Sequence, residues 1–261
     1  MIYYNQYNYP HIPYPSPTLP KATVESGGCG VCCASIVVET ITGVKIPPEK
    51  MAPYAIAEGA RVNGGTDMHR LAESLSRDFE MPYAKYDRLE GLVSVLRAGG
   101  IAICNVSGDK PNMKGIFSNG GHYIVAAGIA ADGRIIVYDP GMYIGKYSSA
   151  YRAKHVKQQG NELLVKAETL HADCEGRSPR YYLFEGGAGM TQEKFNAMAD
   201  VWQDSVNPVY QSVRDVPEYW REDVKELIFK GAIKGDGKNE VGMRHETLKA
   251  IIVAYRISKG A

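Results

Sequence analysis

The apolar residues of this chain change their repeat at Gly99-Gly100, and that change limits the fold more than any single motif. Before it they recur at helical spacing. In "CGVCCASIVVETIT", Cys29, Cys32, Cys33, Ile36, Val37 and Thr40 follow the i, i+3, i+4, i+7 rule of one helical face, with Gly43 as the stop. "PPEKMAPYAIAEG", "TDMHRLAESLSRDF" and "LEGLVSVLRAG" read as three more helices, with Thr66 as the expected N-cap of the middle one. After the two glycines, "IAICNVSG", "HYIVAAGIA" and "RIIVYDP" read as strands. The last two are joined through Asp132-Gly133, a hairpin signal, and "RYYLFEGG" reads as a final strand. Helices first and an antiparallel sheet second define an α+β domain, expected over residues 1–187 behind a Tyr- and Pro-rich leading segment.

A composition shift follows at Gly186-Gly187-Ala188-Gly189. Beyond it "TQEKFNAMADVWQDSV", "VPEYWREDVKELIFKGAI" and "RHETLKAIIVAYRISKG" all carry helical periodicity, so residues 190–261 are expected to form a small all-helical module. Its Trp202, Tyr210, Tyr219 and Trp220 are candidates for contact surfaces. With 30 Lys plus Arg against 29 Asp plus Glu, the net charge of +1 gives no basic face for nucleic acid or a membrane surface. No apolar run reaches the roughly 18 residues of a membrane span, so no membrane insertion is expected. The N-terminus carries no signal-peptide pattern, which predicts a cytoplasmic product that needs a separate release step to act outside a cell. The 18 tyrosines, against 5 phenylalanines, suit a polar binding groove.

Three of the five cysteines fall in "GGCGVCC". Cys29-x-x-Cys32 is a single pair without a second knuckle, which disfavours structural zinc; no metal and no cofactor is expected. A redox pair would follow a strand, whereas this one follows a Pro-rich loop. An odd, uneven cysteine set also argues against a disulfide scaffold. At the head of a predicted helix, Cys29 has free N–H groups and the helix dipole to stabilise a thiolate. Cys32 and Cys33 lie further in, on the apolar face, as small hydrophobes. A nucleophilic cysteine needs a base and the base an orienter. "GGHYIVAAGIAADGRIIVYDPG" supplies His122 at the start of one strand and Asp139 at the end of the next. A tight two-residue turn at Asp132-Gly133 would set Asp139 opposite Ala126, four residues from His122. A longer loop or a bulge is needed to bring the two together. Gly30 is expected to let a substrate backbone approach. His69 is placed near the cleft, and Asp109, Asn112 and Asn119 in a loop before His122 that can shape specificity. His11, His155, His171 and His245 read as surface residues. "GDGKNEVG" lacks the carboxylate spacing of an EF-hand.

"SGGCGVCCASIVVETITG", "GGTD", "GGHYIVAAG" and "GRIIVYDPG" together resemble the papain-superfamily cysteine peptidases of the bacteriocin-leader (double-glycine) type, closest to phage and bacterial cell-wall lysins. The likeness covers roughly residues 1–185. It implies Cys29 as nucleophile, His122 as base and Asp139 as orienter. It also implies an oxyanion site from Gln6, within an Asn-Gln element, and the Cys29 backbone N–H, with Gly28, Gly30, Gly65, Thr66 and Gly121 lining the substrate. Papain-like spacing points instead to Thr23 for the oxyanion role. The tail resembles S-layer-homology-like modules, which implies wall attachment; a homo-oligomer interface is the other reading. The expected activity is hydrolysis of an amide bond in bacterial peptidoglycan. The alternatives are a leader-peptide or protein-processing peptidase, and a non-catalytic wall-binding protein that kept the fold.

Overall fold

A computed structural model describes residues 1–185, 203–204 and 206–260. The chain divides into two compact units, Met1–Phe195 and Asn196–Ala261. The glycine-rich junction at 186–189 and most of the expected helix "TQEKFNAMADVWQDSV", Trp202 included, lie outside the described residues.

In the first unit the helices are α1 (Val24–Gly27), α2 (Cys29–Thr42), α3 (Pro48–Ala57), α4 (Met68–Asp78), α5 (Leu89–Arg97) and α6 (Ala167–Asp173). The strands are β1 (Arg61–Val62), β2 (Gly65–Thr66), β3 (Tyr83–Tyr86), β4 (Ile101–Val106), β5 (His122–Ile129), β6 (Ile135–Tyr138), β7 (Val156–Gln159), β8 (Glu162–Val165) and β9 (Tyr181–Phe184). β1 and β2 pair with each other; the other seven form one antiparallel sheet in the order β3-β9-β4-β5-β6-β8-β7. The unit is thus a mixed α/β body with its first long helices ahead of the sheet.

α2 is buried from Gly30 to Val38 because it packs on the sheet through β4 and β5 and also meets α3 and α4. A helix apolar on all sides belongs inside, and this one ends at Gly43, whose φ of 75° is the left-handed value a helix stop requires. α5 and α6 bury Leu92, Leu96 and Leu170 with Ala102, Cys104, Ile124, Ala126, Val137, Leu163 and Leu183 of the sheet.

Three expectations change. The N-cap of α4 is Asp67, whose Oδ1 accepts the His69 and Arg70 N–H groups. Thr66 belongs to β2 instead, and its hydroxyl meets that of Tyr14. The sheet also gains β3, β7 and β8. β7 and β8 form a hairpin across Gly160-Asn161, with Gln159 opposite Glu162 and Gly160 at φ 61°. Gly-Asn is a turn signal legible in "QQGNELLV".

The described part of the second unit contains α7 (Arg221–Phe229) and α8 (His245–Ser258), preceded by a tight turn at Glu218–Trp220. It is not all-helical: β10 (Val209–Tyr210) pairs with β11 (Met243–Arg244). Two-residue strands are too short to print a period-2 pattern. Tyr210 and Trp220, expected at the surface, belong to its core with Val224, Leu227, Leu248 and Ile252. His245 is half-buried against them, sharing a hydrogen bond with the Tyr210 hydroxyl at 2.8 Å and lying beside the Trp220 ring. Among the described residues no helix is long and apolar enough to cross a membrane.

Candidate active site

Cys29 is the first residue of α2, and Gly28 makes the break between α1 and α2. A Cβ at Gly28 would lie 2.5 Å from Val24 Cγ1, and one at Gly30 would lie 2.7 Å from Thr66 Cβ. Both glycines are therefore required by packing within the protein, and Gly30 serves α2 against β2 rather than an approaching substrate. Gly65 has open space beside its α-carbon, while Gly121 faces the Arg177 guanidinium.

The break has a chemical consequence. In an unbroken helix the Cys29 N–H would bond the Glu25 carbonyl. Here that carbonyl accepts Gln6 Nε2 at 2.7 Å, and no protein acceptor takes the Cys29 N–H among the described residues. Gln6 spends one amide hydrogen on Glu25 and keeps the second. Its place beside α1 is fixed by its backbone N–H, which donates to the Pro140 carbonyl, and by Asn5 Nδ2, which donates to the Met142 carbonyl. The 23 residues from Gln6 to Cys29 are taken up by a returning loop, in which Tyr14 N–H bonds Ala22 and Val24 N–H bonds Ile12. Thr23, the other upstream polar residue, is the N-cap of α1.

His122 opens β5 and Asp139 follows β6. His122 Nε2 and Asp139 Oδ1 are 2.7 Å apart. Two extra residues make this geometry. The turn holds three residues, Ala131 to Gly133, between the bonded pair Ala130 and Arg134, with Gly133 at φ 82°. A bulge between Ala126 and Gly128 leaves Ala127 unmatched. Each slip of one would turn Asp139 to the other face; the two together keep its face and move it along. Beyond the Val125–Tyr138 pair the register sets Asp139 opposite Ile124, two residues from His122.

Asp139 is fully buried. Its Oδ1 also accepts the Gly141 N–H at 2.8 Å, and its Oδ2 accepts Lys146 Nζ at 2.6 Å and the Tyr147 hydroxyl. The Tyr3 hydroxyl donates to its carbonyl. Burial alone would raise its pKa, but the His122 and Lys146 cations and hydrogen bonds outweigh that and hold it well below the usual carboxylate range. Gly141 lies over the imidazole; a Cβ there would be 3.0 Å from His122 Cε1. Lys146 and Tyr147 were not foreseeable, since nothing in "DPGMYIGKY" marks them by spacing.

His122 Nε2 is taken by Asp139, and His122 and Cys29 lie close enough for each to shift the other's pKa. Burial pulls the His122 pKa down, but Asp139 and Cys29 raise it to about 9. Burial pushes the Cys29 thiol up; His122 and the N–H groups of Tyr123 and Gly30 overcome this and lower it. Cys29 is half-exposed, whereas Cys32, Cys33, Cys104 and Cys174 are buried with pKa values raised by that burial. Among the five thiols Cys29 is thus the one whose pKa is lowered, and it shares the site with the His122 imidazole.

The remaining candidates stand apart. His69, on the exposed face of α4, pairs with Glu73 of the same helix and with Lys85 of β3. Asp109 accepts the Gly115 N–H, Asn119 accepts Arg152 Nη2, and Asn112 is exposed. His171 is held by Tyr181 and Arg180. Asp236 of "GDGKNEVG" caps its own turn through Lys238 and Asn239 N–H. No group of metal-ligating side chains occurs among the described residues. Comparison with protein-family models gives no match, and comparison with curated protein sequences gives none either.

Proposed function

We propose that this chain is a papain-like cysteine hydrolase that cleaves an amide bond in the peptide part of bacterial peptidoglycan, in the manner of an endolysin. The observation that carries the reading is the contact chain Cys29–His122–Asp139, in which Cys29 alone among the thiols has a lowered pKa. The thiolate attacks the carbonyl carbon, forming the C–S bond while the C=O π electrons move to oxygen. The free Cys29 N–H and the second Gln6 hydrogen are the donors available to that oxyanion. Protonated His122 then gives its proton to the amine as the C–N bond breaks. Neutral His122 next takes a proton from water, hydroxide adds to the thioester, and the C–S bond breaks to restore the thiolate. Asp139 keeps the imidazole oriented and stabilises its charge.

The second unit is proposed to hold the enzyme on its polymer by avidity. Tyr219, Phe229 and Ile257 are exposed there, at 68%, 91% and 68%. Mass spectrometry of fragments released from several purified cell walls tests the reading. A defined new amine and carboxylate end, lost in Cys29→Ala, supports it. Cleavage of Gly-Gly leader peptides with no wall fragments makes it a leader peptidase instead. Truncation after Gly189 should spare a soluble peptide substrate and weaken lysis of intact walls; loss of an oligomer with lysis unchanged overturns the wall-binding role.

A further inference from the structure

Arg61 opens β1 and is only 8% exposed. Its Nη1 donates to the Gly65 carbonyl at 2.7 Å, and its guanidinium stacks 4.3 Å from the Tyr14 ring centroid. Gly27, two residues before Cys29, packs on it; a Cβ there would be 3.3 Å from Nη1. The Tyr14 hydroxyl is spent on Thr66. The remaining edge of the fork, Nε and Nη2, is buried and has no partner. Burial depresses the guanidinium pKa, and the nearby Tyr14 and Cys29 oppose that.

A buried cation with unspent N–H groups is unfavourable unless something satisfies it. The vacant edge has a definite shape: Nε–H and Nη2–H are parallel, the side-on geometry that a carboxylate fills with two charge-assisted bonds. Gly65, whose carbonyl holds Nη1, and its neighbour Gly64 have no atoms packed beside their α-carbons, so this short β1–β2 turn has room to shift and admit a ligand to the edge. We propose that the Nε–Nη2 edge of Arg61 is a carboxylate subsite, so that the enzyme prefers amide substrates carrying a free carboxylate close to the scissile bond. This rests on the hydrolase reading above and names its substrate class: acyl donors with an unamidated acidic residue.

Alkylation of Cys29 tests the subsite without any hydrolysis. Iodoacetate and iodoacetamide differ only in carboxylate against carboxamide. The ratio of their rates at Cys29 should fall about fivefold or more in Arg61→Gln, with the iodoacetamide rate nearly unchanged, and Arg61→Lys should recover part of it through charge alone. An unchanged ratio, or equal loss of both rates, overturns the subsite and leaves Arg61 a packing residue satisfied by water. Should Arg61→Gln not fold, the wild-type protein still decides: D-glutamate should slow iodoacetamide alkylation and D-glutamine should not, and equal effects overturn the proposal. For hydrolysis, paired peptides with free or amidated carboxyl groups should differ in kcat/KM. Failure to cleave either one counts against the hydrolase reading, while the alkylation ratio still judges Arg61.

Discussion

Two aspartates, Asp139 and Asp173, are both fully buried in the first unit, and their surroundings shift their pKa values in opposite directions. Asp173 ends α6 and caps a loop: Oδ1 accepts the Ile116 N–H at 2.9 Å and Oδ2 the Phe117 N–H at 3.4 Å. Burial outweighs these bonds and raises its pKa. Asp139 has the same burial but faces an imidazolium and an ammonium, and its pKa falls. Burial alone therefore does not mark a working carboxylate. The partner does: backbone N–H groups make Asp173 a clamp, and a titratable ring makes Asp139 the proposed orienter.

The comparison breaks most visibly in activity. Asp139→Asn should lower kcat/KM on a soluble peptide by about 100-fold or more, because the imidazole loses its charge partner and its tautomer. Asp173→Asn should keep most of the activity in folded protein; a matching loss there would erase the distinction. Stability should show the reverse emphasis. Asp173→Ala leaves two buried N–H groups unpaired and should cost about 1–3 kcal/mol in denaturant unfolding with the active fraction unaltered. Cys33→Ala, a small cavity in α2, should cost about 1 kcal/mol and leave thiol reactivity at Cys29 intact.

The smallest effect sharpens the role of Lys146. On the hydrolase reading the working form needs protonated His122, so the alkaline limb of kcat/KM should fall near its pKa of about 9. Lys146 shares Asp139 with His122. In Lys146→Met the whole carboxylate charge acts on the imidazole, its pKa rises, and the limb should move upward by less than about one pH unit. A downward move would mean that Lys146 only props the loop. The raised His122 also contributes stability below its unfolded pKa of about 6.5, lost as pH rises through about 9. Thermal unfolding across pH 6 to 10 should reveal that slope, and His122→Gln should flatten it.

Local signals were legible. α2 runs over Cys29–Thr42 with Gly43 as its stop, as its spacing says, and β5 and β6 follow their apolar runs. What stayed hidden depends on contacts between distant segments. The Thr66 hydroxyl is drawn away from a capping role by Tyr14, so Asp67 caps instead. Lys146, Tyr147 and Arg61 acquire meaning only when a loop or a ring closes over them. The β7–β8 hairpin was readable from Gly160-Asn161, but its strands are short. His122 and Asp139 could be named as partners, yet their approach depends on Ala127, a bulge residue that no propensity marks.

That bulge gives the segment between His122 and Asp139 an arithmetic of its own. Deleting one residue there, at Ala127 or within the turn, reverses the side on which Asp139 emerges, and His122 loses its carboxylate partner although both residues are still present. Deleting both restores the side but slides the carboxylate two positions away, back to Ala126. The chain between His122 and Asp139 thus behaves like a combination lock with two dials, and insertions there should be tolerated only in even numbers that another element can absorb.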